Sequence, residues 1–405
     1  MHPMIKPALR RGWRDRQTVQ FGVAPAHAVV LGPVDTATGS FLSLLDGTRG
    51  MPLLRAEAKA LGLPADRPAE LLARLAGAGL LDDAAVEGVP PPERCDPPAD
   101  PDRLRADLAS LSVVHPEPGA ARRRMAARRA LRVRVRGAGR VGAAVATALS
   151  ASGIGQVDVV DGGRVAPWET APGGLPPESA GERREIAARR AVRAAAPGGG
   201  RSRRGPSGAG EPCGPGPGLA LTVLTPRDGL DAHAPDPATA EPLLATGTPH
   251  LYAGVLEGTG VVGPLVLPGE TACAGCLQRH RSEREPTWPR MLAQWRSARG
   301  SAAPACDTAL ATVVAGLAAA HALTFLDGGA PVCAGARLEF ALPDLAWECH
   351  RLAPHPACGC GASGAVDQPY SPGGVRTPAG PSGPGAEPER RGTPGRHSGV
   401  GGAHV

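Results

Sequence analysis

Residues 131–163 read LRVRVRGAGRVGAAVATALSASGIGQVDVVDGG. Val133 and Val135 alternate with arginines, a strand pattern. Gly137, Gly139 and Gly142 follow as G-x-G-x-x-G, then an Ala/Val-rich helix, then a second strand that closes on Asp161. Each glycine has its own physical task in such a turn. The first permits the tight bend, the second lets backbone approach a phosphate, and the third allows the helix to pack close to the strand, while the helix N-terminus favours an anion. A carboxylate ending the second strand can accept hydrogen bonds from ribose hydroxyls, which nominates Asp161. The arginines of RVRVR run against the pattern, because a central parallel strand is ordinarily apolar on both faces.

Downstream, LALTVL, HLYAGVLEG, VVGPLVL and ARLEFAL read as strands, and DTALATVVAGLAAAHALTFLDG as a long apolar helix. Helices alternating with strands imply a Rossmann-like, mostly parallel α/β sheet over residues 103–361. Residues 1–88 form a separate small α+β module of winged-helix character. TVQFGV and HAVVLG are its short β runs. MPLLRAEAKALG and PAELLARLAGAGLLDD carry apolar residues at helical spacing, with Leu71, Leu72, Leu75, Leu80 and Leu81 on one face. The proline-rich VPPPERCDPPADPDR makes 89–102 a linker. Segment 196–218 and the tail 362–405, both rich in Gly, Pro, Ser and Arg, are expected to be disordered.

Of the 405 residues, 56 are Gly and 45 Pro, and only 3% are aromatic, so Ala, Val and Leu must fill the core. The net charge of +6 is carried almost wholly by arginine, with Lys6 and Lys59 the only lysines and asparagine absent. That is the mark of compositional bias, and no arginine run interleaves with aromatics as a nucleic-acid stacking surface requires. The start, MHPMIKPALRRGW, lacks the apolar core of a signal peptide. No run reaches about 18 uninterrupted apolar residues, so no membrane span is expected. A cytoplasmic, reducing location follows, where nine cysteines read as ligands, catalysts or core fillers.

Four of those cysteines are paired in sequence. Cys273 and Cys276 lie in ETACAGCLQRH, and Cys358 and Cys360 in HPACGCGA. Two close thiol pairs in turns suit a tetrahedral four-thiolate zinc site that pins the chain's end to the sheet domain. A redox couple is the alternative. It is disfavoured because a thioredoxin-type C-x-x-C opens a helix near the first strand of a small domain. Cys306 opens the long apolar helix, where a thiol can be activated, but a small buried residue is the simpler reading. His321 reads as a core histidine. His350 and His355 flank Cys358 and Cys360 and could substitute as ligands. Residues 281–300 read as a loop and amphipathic helix crossing near the site, most simply a solvated face, with a lid or partner surface as the alternative.

A glycine turn, an acid after the second strand and two late cysteine pairs, in this order, resemble the ThiF/MoeB/HesA superfamily of ubiquitin-activating-like adenylyltransferases over residues 130 to 361. The resemblance implies adenylation of the C-terminal carboxylate of a ribosomal precursor peptide or a ubiquitin-like small protein. It implies ATP and magnesium as cofactors, structural zinc, and a homodimer. Gly137, Gly139 and Gly142 match the family's nucleotide loop, and Asp161 its ribose-binding acid. Asp228, in TVLTPRDG, resembles the magnesium-associated aspartate. Arg184, in GERREIAARR, falls where the family has a phosphate-binding lysine. The chain also departs from the pattern. An Asn and an Arg usual after the second strand have no counterpart in VAPWETAPGGLPPES, and Gly163 stands where a second acid is usual. Arginine keeps a lysine's charge but changes its geometry. Residues 1–88 resemble the leader-peptide-recognition modules of ribosomally made, modified peptides. Hence the alternative: a catalytically degenerate subunit that binds a precursor's leader and presents it to a modifying partner of the cyclodehydratase type.

Overall fold

The computed structural model describes residues 1–85, 101–198, 218–227, 229–297, 303–362 and 403–404. Nearly all of the expected linker, insert and tail lies outside the described residues, as does Asp228.

The N-terminal module has five short strands, β1 (Pro3–Ile5), β2 (Arg11–Trp13), β3 (Val19–Phe21), β4 (Val29–Leu31) and β5 (Leu81–Asp83), and three helices, α1 (Thr36–Ser43), α2 (Met51–Ala60) and α3 (Arg67–Gly77). β1 pairs antiparallel with β5, and β2, β3 and β4 form an antiparallel wing. Helix α1 starts at Asp35, whose carboxylate accepts the Thr38 N–H at 2.7 Å and satisfies a free end donor. Phe21, Phe41, Leu54, Leu71 and Leu75 fill the core. Leu80 and Leu81 are buried as expected but do not lie on α3. Gly79, at φ +70°, turns the chain out of the helix, and Leu81 enters β5.

Helices α4 (Arg105–Val114) and α5 (Ala120–Arg129) join the module to the second unit. Lys6 Nζ donates to the His115 carbonyl at 2.9 Å. Asp82 accepts from Ser112 Oγ at 2.9 Å and from the Gly119 N–H at 2.7 Å. On its other side α5 is held by the buried Arg128–Asp327 ion pair, 2.6 Å.

The second unit runs β6 (Arg132–Arg136), α6 (Arg140–Ala151), β7 (Gln156–Val160), α7 (Arg184–Ala195), β8 (Leu219–Leu224), α8 (Leu230–His233), α9 (Pro237–Ala245), β9 (His250–Leu256), β10 (Thr259–Val266), α10 (Ala274–Arg284), α11 (Trp288–Ser297), α12 (Thr308–Leu326), β11 (Ala336–Ala341) and β12 (Ala346–Arg351). Its seven-stranded sheet has the order β12-β11-β10-β9-β8-β6-β7. β7, β6, β8 and β9 are parallel, and β10, β11 and β12 continue antiparallel. The strand order switches between β6 and β8, and the carboxyl ends of strands at such a switch point form the natural ligand crevice of an open α/β sheet.

The RVRVR strand keeps its alternation inside this sheet. Val133 and Val135 are fully buried in the main core, while Arg132, Arg134 and Arg136 lie half-exposed on the opposite face, with Arg132 paired to Asp158 at 2.6 Å. Helix α12 bears on the expectation that no membrane span is present. It is long and apolar enough to cross a bilayer by length and composition, although threonines and His321 interrupt the apolar run. One face, with Leu310, Val314, Ala318 and Ala322, packs in the main core against α6 and the sheet. A final two-residue strand, β13 (Ala403–His404), runs parallel to β4 at the edge of the wing.

Candidate functional site

The glycine turn leaves β6 at the switch point. Gly137 has φ +103°, and a Cβ there would lie 1.9 Å from the Thr225 carbonyl oxygen. A Cβ on Gly142 would lie 2.0 Å from the Gly137 oxygen and 2.3 Å from Thr225 Oγ1. Neither position can take a side chain unless the neighbouring backbone shifts. Gly139 differs: its added Cβ would meet nothing closer than Cγ of Arg227, at 3.3 Å. The second glycine thus presents bare backbone at the start of α6, crossed only by a flexible side chain that is 51% exposed.

Asp161 stands beside this turn at the end of β7. One carboxylate oxygen accepts the Ala138 N–H at 2.7 Å, and the other accepts from Arg184 at 3.1 Å. Arg184, at the start of α7, is buried, and its guanidinium is fully engaged. Nε donates to Glu169 at 3.2 Å. One terminal nitrogen donates to Asp161 and the Gly162 carbonyl. The other donates to the Arg164 carbonyl and, at 3.1 Å, to Glu169. A guanidinium has five N–H donors, and these contacts use all of them. Glu169 also accepts the Ala166 N–H at 2.8 Å and lies 3.5 Å from Arg227. The loop after β7, in which the family's Asn and Arg have no counterpart, is thereby clamped to the sheet by Arg184.

Arg140, first residue of α6, ties the turn to two other segments through the carbonyls of Trp168 and Cys306. Cys306 therefore lies at the glycine-turn end of the sheet. Burial pushes its thiol pKa up, only partly opposed by Arg140, and α12 takes its N-cap from Asp307 instead. The structure thus brings together Gly137, Gly139, Gly142, Asp161, Arg184 and Cys306. Sequence reasoning missed Glu169, Arg227 and Arg140. Arg140 sits inside the motif and carried a signal of its own, as a cation at the first turn of the helix.

The four paired cysteines meet at the opposite end of β10. Their sulfurs are 3.8 Å apart for Cys273–Cys276 and 3.6 Å for both Cys273–Cys358 and Cys276–Cys360. Four thiolates about 2.3 Å from a tetrahedral zinc lie about 3.8 Å from one another, so the cluster fits that ion. Backbone N–H groups of Cys276, His355 and Ala362 point at the Cys273, Cys276 and Cys360 sulfurs, the outer support that thiolate ligands ordinarily have. Cys273 is the N-cap of α10. The C-x-x-C pair therefore does open a helix, contrary to the sequence argument against a redox couple, but the two partner sulfurs from 358 and 360 complete a four-ligand cage. His355 is not a ligand in this arrangement: its Nε2 bonds Glu283 at 2.8 Å and its Nδ1 accepts the Ala357 N–H at 3.1 Å.

No curated protein matches the chain. Among solved structures, E. coli MccB with AMPCPP and MccA has a TM-score of 0.63 at 14% identity, covering 90% of this chain and 100% of that one. E. coli MccB with ATP gives 0.62 at 14% identity, covering 89% of this chain and 99% of that one. The heterocyclase TruD gives 0.56 at 18% identity, covering 89% of this chain but only 43% of TruD. At these identities the likeness is one of fold. The ThiF family model matches residues 118–362, more than half of the sequence. The chain belongs to the ThiF family.

Proposed function

We propose that this chain is a recognition subunit. Its N-terminal module captures the leader of a ribosomal precursor peptide, and the ThiF-type domain presents that peptide to a separate modifying enzyme without adenylating it. The observation that carries this reading is the engagement of Arg184. A phosphate ligand needs a free donor, and every N–H of the one cation at the family's lysine position is held by the chain itself. Asp161 is likewise shared between the turn backbone and Arg184. TruD, named a heterocyclase, supports the same reading, since more than half of its length lies outside the match. The chemistry of that remainder would here sit on a partner of the cyclodehydratase type. For the leader, β2 offers an outer wing strand whose three residues are all exposed, and unpaired strand edges bind extended peptides by backbone pairing.

A second reading, the ATP- and magnesium-dependent adenylyltransferase, is favoured by one observation. Arg227 is half-exposed beside the uncrowded Gly139, so a phosphate has both bare backbone and a movable cation there. Asp228 would then attend the magnesium and Asp161 the ribose. In either reading Cys273, Cys276, Cys358 and Cys360 hold zinc, which supplies a fixed cross-link between the start of α10 and the segment after β12.

Both readings meet in one experiment on the full chain with precursor peptides encoded beside it. Leader binding by anisotropy, with no peptide-dependent ATP–pyrophosphate exchange above background, is the expected outcome. Exchange that requires peptide and magnesium and is abolished in Asp161→Ala and Asp228→Ala would establish the adenylyltransferase instead.

A further inference from the structure

Away from the glycine turn, a cleft of about 1090 Å³ opens between α10 and α11 on one side and β11 and β12 on the other. Strand alternation creates its wall: Leu338 and Phe340 of β11 face the core, and Arg337 and Glu339 face the cleft. Arg337 is only 9% exposed. It donates to the His233 carbonyl at 2.8 Å and meets the Glu339 carboxylate at 2.7 Å, yet its buried Nε–H has no hydrogen-bond partner. An idle buried donor on a charged group is costly. Arg129 and Arg134 have an idle buried Nε–H as well, and Glu339 Oε1 is likewise without a hydrogen-bond partner, but of the three arginines it is Arg337 that lines this cleft, where an acceptor can be brought to the guanidinium. Arg281, from α10, lies 3.9 Å over the Trp288 ring and donates to His233 Nε2 at 3.0 Å. Burial and the Arg337 and Arg281 guanidinia hold His233 down at about 4, so at neutral pH it accepts this bond and adds no charge. Stacking on Trp288 holds the Arg281 guanidinium in place before any ligand arrives.

Four arginines and three glutamates line the cleft, a net charge of one positive with the histidines neutral. That excess matches a single carboxylate. A dianionic phosphate would overshoot it and crowd Glu339 and Glu348. Half-exposed Leu277 and Leu352 add apolar wall suited to a neighbouring side chain.

We propose that this cleft binds a carboxylate of a peptide, received by Arg337 and Arg281. The inference goes beyond leader recognition, since its residues belong neither to the module nor to the glycine turn, and it stands or falls separately. The carboxylate can come from an acidic side chain or from a C-terminus. The test measures anisotropy of the full chain with rhodamine-labelled octapeptides. The first alternates leucine and glutamate and ends in an amide, the second replaces glutamate by glutamine, and the third is the glutamine peptide with a free C-terminus. The glutamate peptide should bind at least about tenfold more tightly than the glutamine amide, the scale of one charge-assisted hydrogen bond. The free-ended glutamine peptide then assigns the source: affinity matching the glutamate peptide means that a terminal carboxylate is received as well as a side chain, affinity above two equal amides means the terminus alone, and affinity matching the glutamine amide means a side chain. Arg337→Met and Arg281→Met should each remove that preference. Arg284→Glu, exposed at the cleft rim and bonded only by a long 3.4 Å contact to the His280 carbonyl one turn back, should weaken the glutamate peptide about tenfold by charge reversal. Equal affinity for the glutamate and glutamine amides where the free-ended peptide binds no better, or undiminished affinity in Arg284→Glu, would overturn the proposal. So would displacement by micromolar inorganic phosphate at matched ionic strength, which would make this a phosphate site.

Discussion

Gly139 and Gly142 stand three residues apart in one motif, yet their surroundings call for opposite responses to a methyl group. Gly142→Ala must displace the Gly137 carbonyl and Thr225, both bound into the sheet ends. Overpacking of that kind costs about 1–3 kcal/mol. Gly139→Ala meets only the Arg227 side chain, which can swing away, so its stability should stay within about 0.5 kcal/mol of wild type. Urea denaturation of the two variants checks this, and equal losses would contradict the geometry. The same residues show what sequence can disclose at this scale. The glycines and Asp161 were legible because one short strand–turn–helix–strand unit holds them all. Glu169 was not, because it pairs with Arg184 across a proline-rich loop that has no periodicity to announce it. Arg281 and Arg337 escaped for a related reason: their cleft is assembled from α8, α10, α11, β11 and β12, and nothing local in any one of them marks a shared site.

Most elements long enough to show a repeat were readable, and of the three-residue strands only β3 and β4 were, because they lie inside the apolar runs TVQFGV and HAVVLG. Helix α12 and strands β8, β9, β10 and β11 carry continuous or periodic burial. β12 has six exposed residues and hence no burial pattern, and β1, β2 and β5 have three residues each, too few for alternation to register. The segment after β12 raises the question of what holds an exposed edge strand and its following turn in place. Hydrophobic burial does little there. The thiol cage does more, joining 358 and 360 to the N-terminus of α10. Freshly purified, reduced protein should contain about one zinc per chain, since closed four-cysteine sites bind this ion structurally. Cys360→Ser should lower the zinc content and open the segment around 352–362 to protease. A chelator should depress the melting temperature of wild type more than that of Cys360→Ser, because metal binding is itself folding free energy. Full zinc occupancy in the Cys360→Ser variant would remove that residue from the ligand set.

At the scale of the whole molecule, what matters is whether the module and the ThiF domain move as one. The proline-rich sequence between them argues for independence, but the packing argues against it. Lys6 is 1% exposed and Asp82 8%, a lysine and an aspartate buried where the module meets the α4–α5 connection. Burial lowers the Lys6 pKa, opposed by the charges of Asp82 and Glu117. Asp82 in turn accepts from Ser112 and Gly119, both beyond the linker. Removing it strands a buried hydroxyl, a buried N–H and a lysine deprived of compensating charge. Two lost hydrogen bonds to a charged acceptor are worth about 3 kcal/mol or more. Calorimetry should therefore show one transition for wild type and two for Asp82→Ala, the module melting first. Lys6→Met should be far milder, since it loses one bond but also removes a buried charge. The sign with pH follows from the lowered pKa. The cost of burying charged Lys6 is fully present below its folded pKa and is relieved as pH rises from there toward lysine's ordinary value. Wild type should accordingly gain stability over that alkaline interval, and Lys6→Met should lack the gain. If the junction serves delivery of a captured leader, Asp82→Ala will bind precursor with unchanged affinity but support less modification by the partner enzyme. A single unchanged transition in Asp82→Ala would mean that the two units were never coupled through this contact, and delivery would then have to rely on the linker alone.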